Sequence, residues 1–182
     1  VSDIHVSPAF SMPSSFGGLR SYPCVSTLKD LGEMSLQPYG VTAPKPSFIL
    51  GTGDITEFSY PGVTWEVVMK YFEGVGCRVF LIPGNHDNTW VASTKGHRQY
   101  FGGQNYSFDY EGCHFIGLAS ATLQDPSPSY GEEILRFVKA DLERTGPTTP
   151  VFVFFHHPLK GSEYASRYDV DRLLDILRPY NV

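Results

Sequence analysis

Pro83-Gly84-Asn85-His86-Asp87 follows the apolar run Val79-Phe80-Leu81-Ile82. A buried strand ends there, a Pro-Gly turn breaks it, and three polar side chains leave the turn together. The pattern recurs. Ser2-Asp3-Ile4-His5 opens the chain, Phe48-Ile49-Leu50 leads into Gly51-Thr52-Gly53-Asp54, and Val151-Phe152-Val153-Phe154-Phe155 leads into His156-His157-Pro158. Reactive groups of open α/β sheets collect outside the carboxyl ends of strands, and here four such ends present Asp, His, Asp, Asn, His and His. This set is rich in metal ligands. Asp3 and His5 are two apart, so an extended backbone turns both to one side, where they can share a cation. Asp54 has two carboxylate oxygens and can bridge two ions; Asn85 offers a neutral carbonyl oxygen. His156 adds an imidazole. Mixed N and O donors suit iron, manganese, zinc, cobalt or nickel, and the lack of thiolate argues against a structural zinc site.

Each of these groups also has an ordinary reading. A lone Asp beside glycine is commonly a turn or cap residue, Asn after Pro-Gly is a turn former, and two histidines before a proline can be a satisfied pair. Four accidents at successive strand ends are a poor explanation, and the metal reading is preferred. Other residues take the ordinary reading. His114 lies inside a strand and is read as structural, and His97 as a surface residue. Arg20, Arg98 and Lys160 are read as solvated charges, and Tyr106, Phe108 and Tyr110 as sheet packing.

The elements that must position the cluster follow from periodicity. Strands are predicted at 47–50, 78–82 and 150–155, and a hairpin at 105–110 and 113–118 across Glu111-Gly112. A helix is predicted over 61–74, capped by Thr64 and carrying Trp65, Val68, Met69 and Phe72. A second spans 130–145 with Ile134, Leu135, Phe137, Val138 and Leu142 as its stripe, ended by Gly146-Pro147. A third is capped by Asp169, carries Val170, Leu173, Leu174 and Leu177, and stops near Pro179. A short helix is expected at 27–34. The Ser-, Pro- and Gly-rich 7–23 stretch reads as loop, either disordered or a lip over a site, and with 90–103 it is where selectivity would reside. Strands alternating with helices around a hairpin make a layered α/β fold.

Bulk properties set the outer bounds. A chain of 182 residues with 41% hydrophobic residues is long enough for one globular domain with a substantial core. A net charge of −5 argues against nonspecific binding to nucleic acid or an anionic membrane. Bound cations would reverse that field locally and admit a phosphorylated substrate. No run approaches the ~18 apolar residues of a membrane span. Cys24, Cys77 and Cys113 are far apart, lie in no catalytic motif, and read as buried or free thiols. Compartment and oligomeric state are not legible.

Taken in order, Asp3-Ile4-His5, Gly53-Asp54, Gly84-Asn85-His86-Asp87 and His156-His157-Pro158 resemble the D-x-H, G-D, G-N-H-[DE] and H-x-P motifs of the calcineurin-like metallophosphoesterases. The resemblance covers nearly the whole chain. It implies a four-layer sandwich of two mixed β-sheets flanked by helices, with residues 1–182 forming one domain. It also implies a binuclear centre of iron, manganese or zinc in which an activated water hydrolyses a phosphomono- or phosphodiester. Asp3 and His5 would be ligands of one metal, Asp54 the bridge, and Asn85 and His156 ligands of the other. His86 would contact the phosphate and protonate the leaving oxygen, with Asp87 setting its tautomer. By the H-x-P register His156 is the ligand and His157 its neighbour. The family's last motif, G-H-x-H, is absent, so the fold is expected to be clipped at both ends with its C-terminal part missing. Without those histidines the alternative is an inactive metal-binding or interaction module of the same fold. The substrate class favoured is a phosphodiester, because no basic patch for polyphosphate is evident.

Overall fold

A computed structural model describes residues 1–6, 27–57, 63–88, 97–121, 129–161 and 169–182. The Ser- and Pro-rich 7–23 stretch with Arg20, Cys24, and residues 90–96 lie outside the described residues. After a helical turn at 27–30 comes a small antiparallel pair, β1 (Ser35–Leu36) and β2 (Val41–Thr42). The order then runs β3 (Phe48–Thr52), α1 (Val63–Phe72), β4 (Arg78–Ile82), β5 (Tyr106–Tyr110), β6 (Cys113–Leu118), α2 (Glu132–Thr145), β7 (Val151–Phe155) and α3 (Val170–Leu177). The fold is mixed α/β with several small sheets. No helix among the described residues is long and apolar enough to cross a membrane.

β3 and β4 pair in parallel, with Phe48 opposite Arg78 and Thr52 opposite Ile82. Their connection runs through α1, as a parallel crossover requires. Gly51 and Thr52, expected in the turn, belong to β3 and carry it two residues further. The chain opens alongside: Thr52 donates its amide to Val1 O (2.8 Å), Asp3 to Gly53 O (3.0 Å), His5 to Asp54 O (3.0 Å) and Val6 to Ile55 O (2.8 Å). α1 lays Trp65, Val68 and Phe72 on this layer, joined by Ile4, Val6, Ile49, Ile55 and Leu81. The 65, 68, 72 spacing is a helical stripe. Met69 falls at its rim and is 40% exposed, against the expectation that it shares the stripe. Thr64 lies inside the helix, one residue after its first, and not ahead of it as a cap would.

The second sheet has the order β5-β6-β7. β5 and β6 form the expected hairpin, with Tyr110 opposite Cys113 and positive φ at Glu111 (49°) and Gly112 (76°), as a two-residue I′ turn demands. β7 joins β6 in parallel. α2 places Glu132 and Glu133 at its positive end and Arg144 in its last turn, which suits the helix dipole. It begins at Glu132, two residues later than expected, because Tyr130 is fully buried against Phe155 (6.0 Å between rings) instead of opening the helix. Leu135, Val138 and Leu142 pack with Val170, Leu173 and Leu177 of α3 over Ile116, Leu118 and Val151. Each such burial stabilises by about 1.5–3 kcal/mol. Asp169 precedes α3 in a left-handed conformation (φ 61°) and makes no side-chain cap. Its carboxylate instead accepts from Arg172 Nη1 at 3.0 Å.

Aromatic rings join the two sheets. Phe80 of β4 stacks on Phe108 of β5 (3.7 Å, 5°), Phe108 on Phe115 of β6 (5.0 Å), and Phe115 on Phe152 of β7 (5.1 Å), with Phe48 edge-on to Phe80, Phe108 and Phe115. Offset and edge-on contacts of this kind add stability beyond area burial. The carboxyl ends of β3, β4 and β7 come together, since the residues that leave them line one cavity.

Candidate metal centre

At that shared end Asp3, His5, Asp54, Asn85, His86, His156, His157 and Pro158 line a cavity of about 410 Å³. Each arrives by a short route. Asp54 leaves β3, Asn85 and His86 leave β4, and His156 leaves β7. Asp3 and His5 come from the opening segment hydrogen-bonded to 53–55. The backbone is not extended at these residues: φ is 55° at Asp3, 52° at His5 and 49° at Asp54. Non-glycine residues adopt such angles rarely, Asp, Asn and His most readily. The two side chains therefore meet because the backbone twists at each of them, and not because a strand alternates; His5 Nε2 lies 3.9 Å from Asp3 Oδ1.

Asp54 is the hub. Its Oδ2 faces Nε2 of His5 at 3.7 Å, of His86 at 4.0 Å and of His156 at 3.3 Å. Donor atoms of His5, Asp54 and His86 form one compact triad, and those of Asp3, Asp54 and His156 another. The partition differs from the sequence expectation, which grouped Asp3 with His5 and left His86 out. Three imidazole nitrogens around one carboxylate oxygen place acceptor against acceptor unless protons or cations lie between. The donor set fits transition-metal cations. Burial by itself would raise the Asp54 pKa, but the hydrogen bonding and charge of His156, with the His86 amide (3.0 Å to Oδ1) and ring, hold it below the ordinary value.

The rings are aimed from behind. His156 Nδ1 donates to Thr52 O at 2.9 Å, which leaves Nε2 for the cavity. Burial opposes charge on this ring, yet Asp54 raises its pKa. Glu57 stands behind two others, with Oε2 2.6 Å from His5 Nδ1 and Oε1 3.5 Å from His86 Nδ1. His157 turns away from Asp54: Nδ1 meets Ser120 Oγ at 2.8 Å, and Nε2 meets Asn85 Oδ1 at 3.2 Å. Burial and the neighbouring His156 lower its pKa to about 4, so this ring is neutral.

Asp87 is fully buried and does not line the cavity. Its carboxylate accepts from the amides of Ile55 (3.1 Å), Thr56 (2.7 Å) and Gly84 (2.9 Å) and from Thr56 Oγ1 (2.8 Å). The carboxylate facing a His86 ring nitrogen is that of Glu57. Asp87 thus ties the loop after β3 to the loop after β4. The same loops touch closely enough that a Cβ on Gly84 would lie 2.1 Å from Asp54 Oδ1, and one on Gly53 would lie 2.7 Å from the His156 ring. A side chain at either position would displace the Asp54 carboxylate or the His156 ring.

The expectations for other residues divide. His114 is buried between Asp109 and Asp141, as a structural histidine should be. His97 is not a surface residue: it is completely buried, edge-on to Trp65 (5.5 Å) and against Phe101 (5.0 Å), and burial lowers its pKa to about 4. A polar sequence neighbourhood concealed an inward turn of 97–101. Glu57, Thr52 and Ser120 escaped the sequence reading. Ser120 was reachable by the strand-exit logic used elsewhere, since it lies two residues past the end of β6; Glu57 had only its position three residues after Asp54 to mark it.

No curated protein matches the sequence significantly. The profile of the calcineurin-like phosphoesterases matches over residues 1–182, in line with metal-dependent hydrolysis of phosphate esters. With ligand-type residues at each of the strand ends where the family's motifs fall, the chain belongs to the calcineurin-like phosphoesterase family.

Proposed function

We propose that residues 1–182 form one domain that hydrolyses phosphate esters at a binuclear centre in the cavity around Asp54. The observation that supports this most directly is that Asp54 belongs to both donor triads, with its Oδ2 near His5 Nε2 of one and His156 Nε2 of the other, as suits a bridging carboxylate. On this reading Asp3, His5, Asn85 and His156 complete the protein's share of the ligands, and the mixed N/O donors suit iron, manganese or zinc. Cations bound there would supply an activated water and a clamp for the phosphate oxygens. The chain's own residues do the rest. Asp54, held ionised, fixes the charge balance of the cavity. His86 presents Nε2 to the cavity while Nδ1 faces Glu57, so the ring can donate a proton to a leaving oxygen while a carboxylate stabilises its charged form. Asp87 is a positioning residue that holds the two ligand loops together.

The favoured substrate is a phosphodiester. Among the described residues the cavity lining contains no Lys or Arg, which suits the single charge of a diester better than the double charge of a monoester. The fold reading extends in the same way to a four-layer sandwich. α1 packs on β3-β4, the aromatic stack lies between that pair and β5-β6-β7, and α2 with α3 covers the far side. The deciding experiment compares bis-p-nitrophenyl phosphate with p-nitrophenyl phosphate under added Mn²⁺. Faster turnover of the diester is expected, and turnover of neither ester, with no bound transition metal, would leave only an inactive module.

A further inference from the structure

The cavity's least conspicuous wall is a buried polar chain that runs inward from it, away from the carboxylates. Ser120, completely buried at the exit of β6, lies under the histidine that the metal reading leaves unused. Its Oγ accepts the backbone N–H of His157 at 3.2 Å and sits 2.8 Å from His157 Nδ1. His157 Nε2 then reaches Asn85 Oδ1 at 3.2 Å. We propose that Ser120 and His157 are positioning residues that set the side-chain amide of Asn85, with its oxygen available to a cation. This rests on the metal-centre reading above.

Proton counting assigns each partner. The serine oxygen is already an acceptor for the His157 amide, so its hydroxyl hydrogen is free to point at Nδ1, which accepts. Asn85 Oδ1 can only accept, so Nε2 carries a hydrogen and donates it across the 3.2 Å contact. A carbonyl oxygen has two lone pairs, so accepting from His157 does not by itself use up the oxygen. A flipped amide would bring its NH₂ against Nε2–H, donor to donor, and would offer a cation hydrogens in place of oxygen. His157 excludes that rotamer.

The surrounding loops make the assignment stiff. Asn88 Nδ2 donates to Ala121 O at 3.0 Å, Gln104 Nε2 donates to Asn88 Oδ1 at 2.7 Å, and the Ala119 amide donates to Asn105 Oδ1 at 2.9 Å. The loop carrying Ser120 and the loop carrying Asn85 are thus joined at two places, one at the amide and one behind it. Packing alone needs only the second. A buried polar chain that ends on a ligand-type oxygen has a further use, because groups behind a metal ligand typically change metal affinity by about 10–100-fold.

The test is a Mn²⁺ titration of the full chain, followed by electron paramagnetic resonance, with His157→Leu, His157→Gln and Ser120→Ala. His157→Leu keeps much of the volume but has no N–H, and one Mn²⁺ equivalent should weaken by about 10–100-fold while the other is unchanged. His157→Gln restores a donor at similar reach and should recover most of the loss. Ser120→Ala frees the tautomer and should weaken the same equivalent by about tenfold; it decides the matter if His157→Leu fails to fold. Wild-type affinity in His157→Leu, equal loss at both equivalents, or a Gln variant no better than Leu would overturn the inference and leave the metal centre standing. A wild-type chain that binds no Mn²⁺ would overturn both.

Discussion

Asp54 Oδ2 and His156 Nε2 stand 3.3 Å apart although one residue leaves β3 and the other leaves β7, in different sheets. Ring contacts of Phe48 and Phe80 with Phe108 and Phe115 pack the two sheets together. Asp54→Asn keeps the shape and removes the charge that both triads share. Loss of bound metal is expected, with turnover of bis-p-nitrophenyl phosphate falling at least about a thousandfold, equivalent to roughly 4 kcal/mol. Metal analysis beside the assay checks it; full metal content in the Asn variant would remove Asp54 from its bridging place.

His86 should separate chemistry from binding. A group that transfers a proton in the transition state contributes about 10²–10⁴-fold to turnover. His86→Ala is expected to lose that much in kcat while the bound metal stays near wild type. Unchanged turnover would end its role as acid, and loss of metal would make it a ligand, as its place beside His5 and Asp54 permits.

Glu57 faces the Nδ1 atoms of both His5 and His86, so one substitution disturbs two rings. Glu57→Gln preserves size and removes the acceptor charge. It should weaken Mn²⁺ binding by about 10–100-fold, the range seen for carboxylates behind histidine ligands. Wild-type affinity in a calorimetric titration would reduce Glu57 to a bystander.

Gly84 is fixed by contact and not by backbone angle. A Cβ there would meet Asp54 Oδ1 at 2.1 Å, and the amide of Gly84 itself is one of the donors to buried Asp87. Gly84→Ala should cost about 1–3 kcal/mol from forced displacement in a tight site, read as a drop in denaturant midpoint, and should also weaken metal binding. A variant as stable as wild type would show the two loops to be looser than these distances imply.

The strands were legible because apolar runs bounded by Gly and Pro are a local signal. β4 falls on the expected residues, and β5, β6 and β7 within one residue of them. The strand-exit rule likewise gathered Asp3, His5, Asp54, Asn85, His86 and His156 into one cavity. What failed was set by tertiary contact. The left-handed angles at Asp3, His5 and Asp54 come from hydrogen bonding between 1–6 and 52–57, which no local pattern announces. Burial of His97 needs Trp65 and Phe101 around it. Glu57, not Asp87, faces a His86 ring nitrogen, because side-chain direction after the Pro-Gly turn follows from which donors are within reach, and four surround Asp87.

His114 gives the protein a pH-sensitive joint far from the chemistry. Its Nδ1 lies 2.6 Å from Asp109 Oδ1 on β5 and its Nε2 lies 2.8 Å from Asp141 Oδ2 on α2. Carboxylates only accept, so both ring nitrogens carry hydrogen and the ring is a cation. Burial opposes that charge, but hydrogen bonds and charges from Asp109 and Asp141 outweigh it and raise the pKa. Arg144 Nη2 (2.7 Å) and Ser107 Oγ (3.0 Å) hold the other Asp141 oxygen. A folded-state pKa above the unfolded value means stability that is whole below the unfolded pKa of about 6.5 and is lost as pH climbs through the raised folded value. The stability contributed by this group should fall by at most about 1.4 kcal/mol per pH unit across that window. Because His156 titrates in the same direction and His97 and His157 in the opposite one, the quantity to measure is a difference. Denaturation of wild type minus His114→Gln, from pH 5 to 9 without metal, should shrink as pH rises; a constant difference would mean that His114 is neutral in the fold.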